Sequence, residues 1–230
     1  MSEILPLFPL GTVLFPGMVL PLHVFEERYR ELVRDLLAGP EPRELGIVAI
    51  RSGQEAGARS PRELHEVGCV AAVREVAAHD DGRFDLVTVG TRRFRLLGTD
   101  DARPYLQAQV EPLIDDASAE AGEDAASTAA MATLVAAVQS AFRSYLNALA
   151  DRAGAVIRVA DIPDDPALLS FVIAAAMIID LPERQGLLAA PDAMTRLRAE
   201  RQLLTRERAM LRVTTSRPAP DLRGERFSPN

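Results

Sequence analysis

The sequence predicts an α+β protein with a β-rich first half and a helical second half. Three observations carry that prediction. Short apolar runs separated by turn residues fill the chain up to Pro112. Apolar residues at helical spacing fill it beyond about residue 125. Between them lies an acidic stretch of small residues. The boundaries read this way are 1–112 for the β-rich part, 113–126 for a linker, 127–213 for a helical bundle and 214–230 for a flexible tail.

Each element follows from local chemistry. Val13-Leu14-Phe15 and Met18 to Leu22 read as two short strands joined by Pro16-Gly17, since Pro presets φ and Gly accepts a positive one. Val24 to Leu37 carries a helical period, with Phe25, Tyr29, Leu32, Val33, Leu36 and Leu37 on one face. Gly39-Pro40 stops it. Leu45 to Ile50 reads as a buried strand, and Ser52 to Glu66 as a polar loop. Val67 to Ala78, the Asp80-Asp81-Gly82 turn and Phe84 to Val89 make a hairpin. Arg92 to Leu97 and Tyr105 to Val110 alternate as further strands, giving about six strands and one helix.

Asp115 to Ser127 offers almost nothing to bury and reads as the linker. Met131, Leu134, Val135, Val138, Phe142, Tyr145, Leu146 and Leu149 then define one face of a helix from about 125 to 150. Asp165-Pro166 caps a second helix, Ala167 to Ile179, apolar nearly all round and therefore expected at the bundle centre. Pro182 opens a short third helix. Pro191-Asp192 opens a fourth, running to about Val213 with leucine rows that suit either bundle packing or self-association.

Composition excludes several functions. The net charge of -7 argues against a general nucleic-acid or anionic-membrane binder. All 26 residues counted as Lys+Arg are arginine. Without lysine the chain can build neither a P-loop nor a Ser–Lys dyad nor a Schiff base. The apolar run from Ile4 to Val24 is broken by Pro6, Pro9, Pro16 and Pro21, which a membrane helix would not tolerate. Met1-Ser2-Glu3 lacks the positive n-region of a signal peptide, so none is expected. The lone Cys69 cannot form an intramolecular disulfide, and a cytoplasmic location is expected.

No G-x-S-x-G elbow occurs, and Ser170 lies in an apolar helix, so no catalytic residue is assigned. His23 precedes Glu26 by one helical turn, but the other histidines, His65 and His79, show no ligand spacing; no metal or cofactor is expected.

The landmarks resemble a known family. Leu5-Pro6-Leu7-Phe8-Pro9-Leu10, Val13-Leu14-Phe15-Pro16-Gly17-Met18-Val19-Leu20-Pro21-Leu22 and Phe25-Glu26-Glu27-Arg28-Tyr29 resemble the opening of the Lon protease N-terminal substrate-binding domain. Gly68-Cys69-Val70-Ala71 and Arg93-Phe94-Arg95 are similar to its strand block. Asp164-Asp165-Pro166, Leu181-Pro182-Glu183-Arg184-Gln185 and Arg196-Leu197 are similar to its helical half. The resemblance runs in order from residue 4 to about 212.

This resemblance implies a PUA-like β subdomain, a helical subdomain, and a stand-alone, non-catalytic module that binds unfolded or exposed apolar polypeptide segments. Such a module would serve as adaptor or recruiter, with a protease or chaperone as a further partner. The expected peptide contacts are Phe15, Met18 and Leu20 around the Pro-Gly turn, Met being suited to varied partners. The alternative is RNA binding, since PUA-like folds also serve RNA-binding modules. Its contacts would be Arg92, Arg93 and Arg95, although Asp80, Asp81, Asp85, Asp100 and Asp101 surround them.

Overall fold

The computed structural model describes residues 2–52, 63–114, 125–154 and 162–215. Most of the expected linker and tail, and most of the Ser52 to Glu66 loop, lie outside the described residues. Among the described residues seven strands come first: β1 (Glu3–Leu10), β2 (Val19–Val24), β3 (Glu44–Ser52), β4 (Glu63–Leu64), β5 (Val67–Ala78), β6 (Phe84–Asp100) and β7 (Gln107–Leu113). Helix α1 (Glu27–Ala38) lies between β2 and β3. Among the described residues four more follow the strands: α2 (Ala125–Ala153), α3 (Pro166–Ala176), α4 (Leu181–Ala189) and α5 (Ala193–Thr215). No described helix is long and apolar enough to cross a membrane.

The sheet closes on itself. Its strand order is β1-β7-β6-β5-β3-β4, and a parallel pairing of β1 with β3 closes β1, β7, β6, β5 and β3 into a ring, with β4 appended to β3. Every other pairing is antiparallel. Strand β6 is long enough to serve two neighbours on one side. Phe84 to Val89 pair with β2, and Arg93 to Asp100 pair with β7. The runs expected as two strands, Phe84 to Val89 and Arg92 to Leu97, are therefore one continuous strand.

Three expected elements need correction. First, β1 is a strand that the prolines conceal. Leu5 and Leu7 enter one core cluster and Phe8 and Leu10 another, so both faces are buried and no alternation remains in the sequence. Second, Val13, Leu14 and Phe15 form no strand; they lead into the Pro16-Gly17 turn with all three side chains buried. Third, α1 begins at Glu27, with Glu26 extended at its N-cap, so Val24 ends β2 and Phe25 leaves the buried face.

The helices start as their sequences imply. Asp165 accepts from Leu168 N at 2.8 Å ahead of Pro166, and Asp180 accepts from Glu183 N at 2.9 Å ahead of Pro182. Asp192 does the same for Thr195 N at 2.6 Å. Helices α2, α3 and α5 enclose a cluster containing Val138, Phe142, Leu169, Ile173, Leu197 and Leu204. The leucine row of α5 thus serves packing. Helix α3 ends at Ala176 and is not buried all round, since Leu168 and Val172 reach solvent.

A fourth cluster joins strands to helices. It contains Val13, Phe15, Ala49 and Val67 from the β-rich part and Phe171, Ala174, Leu187 and Leu188 from the helices. Polar bonds reinforce this seam. Gln185 Nε2 donates to the Val67 carbonyl at 2.9 Å, and the Arg184 guanidinium lies 5.3 Å from the centre of the Phe15 ring.

Candidate functional site

The Pro16-Gly17 turn forms as its chemistry requires. Gly17 has φ +80°, and Met18 N donates to the Phe15 carbonyl at 3.1 Å, closing a type II turn. Gly17 N and Gly90 N then bond across to Gly90 O and Met18 O, pinning the turn to β6. A side chain at residue 90 could not be accommodated, because its Cβ would lie 2.2 Å from the Phe15 carbonyl oxygen. The turn delivers the chain into β2 with Leu22 and Val24 facing the core and Val19, Pro21 and His23 facing solvent.

Beside β2 lies a groove of about 460 Å³. Phe8, Leu10, Leu22 and Tyr29 are buried residues that floor it, with the Phe8 and Tyr29 rings stacked at 4.1 Å. Leu20, His23, Phe25 and Glu26 also line it, and Phe25 is 56% exposed. An apolar floor with a polar, partly exposed rim suits a ligand that buries a few side chains and leaves its ends in water.

At one end of the groove two imidazoles share a carboxylate. His23 Nδ1 is 2.6 Å from Asp85 Oδ1, and His79 Nε2 is 2.7 Å from Asp85 Oδ2. These bonds, His23 first, hold the Asp85 carboxyl below the usual carboxylate range. His23 turns to Asp85 rather than Glu26. Among the described residues no group of three or more metal-type side chains is placed to hold an ion.

The structure separates the expected peptide contacts. Phe15 is fully buried in the seam and is no surface contact; the hydrophobicity that made it a candidate serves packing instead. Met18 and Leu20 are half-buried against the core, and only Leu20 lines the groove. Phe25, assigned by periodicity to a buried helical face, stands on the rim. His79 and Asp85 were legible only as hairpin residues, because the register that sets Asp85 opposite His23 spans 62 positions.

The arginine cluster also separates. Arg93 is buried and donates to the carbonyls of Leu188 at 2.7 Å and Ala190 at 2.6 Å. Arg92 is held between Glu3 and Glu44 at 2.9 and 2.8 Å. Arg95 alone of the three is exposed, so they form no joint nucleic-acid surface.

Comparison with known proteins decides the family. Residues 4–206 match the model of the ATP-dependent protease La (LON) substrate-binding domain. The chain belongs to that family. It is 27% identical over 213 residues to Lon protease 2 of Myxococcus xanthus, covering 92% of this chain and 24% of the relative. It is also 27% identical to Lon protease 2 of Syntrophobacter fumaroxidans, covering 90% and 25%. The chain thus spans about a quarter of the length of the curated relatives it matches.

Solved structures agree on the fold. The crystal structure of the Lon N-terminal domain protein from Xanthomonas campestris is 27% identical with a TM-score of 0.57, covering 88% of this chain and 98% of that one. The N-terminal domain of the Mycobacterium avium complex Lon protease, 20% identical, matches with a TM-score of 0.62 over 90% and 98%. What this LON domain shares with its relatives is the substrate-binding module, not their catalytic parts.

Proposed function

We propose that this LON domain binds unfolded or exposed apolar polypeptide segments without covalent chemistry, as an adaptor or recruiter in the cytoplasm. The single observation that carries the reading is the groove beside β2, with its apolar floor and the exposed Phe25 at its rim. A client would bury apolar side chains there. The absence of lysine supports a non-enzymatic role, since no P-loop or Ser–Lys dyad can be built from these residues. A protease or chaperone would receive the bound client.

The test compares two phenylalanines in the full chain. Phe25→Ser should weaken binding of a permanently unfolded reporter about tenfold, equivalent to ~1.4 kcal/mol, with melting temperature unchanged. Phe15→Ala should instead cost about 3–5 kcal/mol of stability. Fluorescence anisotropy and thermal melting on both variants check this. Reporter affinity that survives Phe25→Ser and Leu20→Ser together would overturn the reading.

A further inference from the structure

Strand β2 has β6 on one side and, among the described residues, no strand on the other. A strand directs half of its N–H and C=O groups to each side, so the outer side of β2 presents groups that no strand pairs: carbonyls and N–H groups of Val19 and His23, and a carbonyl alone from Pro21. Pro21 lies within β2, and proline in a sheet belongs to edge strands. The groove follows this edge, for Leu20 through Glu26 line it without interruption.

We propose that client segments bind by adding a strand to the outer edge of β2, alternate side chains entering the groove and a basic residue lying over the β5–β6 turn. The inference rests on the polypeptide-binding reading above and specifies its mode. A row of strand-spaced donors and acceptors is complementary to an extended backbone. A helix satisfies its own backbone groups and has none to offer. The six residues of β2 match a client stretch of about six residues, roughly 20 Å long.

Charge selects the occupant. Around the β5–β6 turn and the start of α1, Glu26, Glu27, Glu31, Asp80, Asp81 and Asp85 outnumber the arginines. Those arginines are already engaged: Arg28 with Glu26 at 2.9 Å, Arg30 and Arg34 with Glu27 at 2.8 and 2.9 Å, Arg34 also with Glu31 at 3.6 Å, and Arg83 with Asp81 at 2.7 Å, while Asp85 is bonded by His23 and His79. The remaining negative charge favours a client with a cationic end. A second copy of this chain, at net charge -7, would bring like charge to like. Recognition through the main chain would make binding tolerant of client sequence, since every unfolded segment carries the same backbone.

The experiment uses the full chain and a fluorescein-labelled peptide of alternating Val and Thr that ends in two Arg. Two derivatives carry backbone N-methyl groups, one on every Val amide and one on every Thr amide. In strand addition only one of these sets faces β2, so one derivative should lose at least about tenfold in affinity and the other far less. Amide hydrogen exchange in β2 should slow when the parent peptide binds, and replacing the two Arg with Glu should weaken it.

If both derivatives bind like the parent while Phe25→Ser weakens all three, strand addition is overturned and the groove reading stands. Parent binding that is absent, or indifferent to Phe25→Ser, overturns both. Slowed β2 exchange that depends on protein concentration and needs no peptide would put a second copy at the edge and overturn the proposal.

Discussion

Glu200 is placed against its own chemistry. It is fully buried on α5, and neither carboxylate oxygen has a hydrogen-bond partner among the described residues. Arg196, one turn earlier, donates to the Leu187 carbonyl at 3.0 Å and to Ser170 Oγ at 2.7 Å, and lies 4.0 Å from the centre of the Phe171 ring. Desolvation pushes the Glu200 carboxyl well above the usual range, with Arg196 opposing. The folded protein therefore holds this proton more tightly than the unfolded chain does. The resulting stabilisation is complete below the ordinary glutamate pKa and is lost as pH rises through the folded value. Glu200→Gln removes that loss, so its melting temperature relative to the parent should climb between pH 5 and pH 8. A difference that stays flat with pH would show that Glu200 is already ionised in the folded protein.

At the scale of elements, the decisive contact is a strand arginine meeting the end of a helix. Arg93 on β6 donates to Leu188 O and Ala190 O, carbonyls at the C-terminus of α4 where the helix dipole favours a cation. Truncation would leave buried carbonyls without this donor and empty the volume of the side chain. Arg93→Ala should therefore cost about 3 kcal/mol in urea unfolding. Arg95→Ala, two residues along the same strand and exposed, should stay within about 0.5 kcal/mol. Equal effects would mean that the β6–α4 contact contributes nothing to stability. The edge of β2 belongs to this scale too, because a strand's pairing is a property of the whole element.

For the whole molecule, the cluster shared by Phe15, Val67, Phe171 and Leu188 ties the barrel to the helices. Opening this seam would expose those side chains together with the Gln185–Val67 and Arg93–α4 bonds. We expect one cooperative thermal transition, with calorimetric and van't Hoff enthalpies equal. Two resolved transitions would show that the two parts fold independently. The seam also sets the outer limit on the site: Phe15 stabilises the joint, while Leu20 and Phe25, on the other flank of the turn, line the groove.

Much of this molecule was legible in its residues. Local chemistry determined the Pro16-Gly17 turn, the helix starts at Asp165-Pro166, Pro182 and Pro191-Asp192, the β5–β6 hairpin, the stop at Gly39 and the division into β-rich and helical parts. Each depends on φ preferences or hydrogen bonds between neighbours, and sequence records neighbours directly. The order of the opening motifs also carried the family resemblance. Other features depend on distant pairs. The ring closed by β1 and β3, the fusion of two expected strands into β6, the burial of Phe15 and Arg93 and the meeting of His23 with Asp85 were decided only when the chain folded. A phenylalanine has the same transfer energy wherever it stands. Whether it fills a seam or rims a groove depends on which distant elements cover it: Phe25 lies between the end of β2 at Val24 and the helix start at Glu27, and stands exposed.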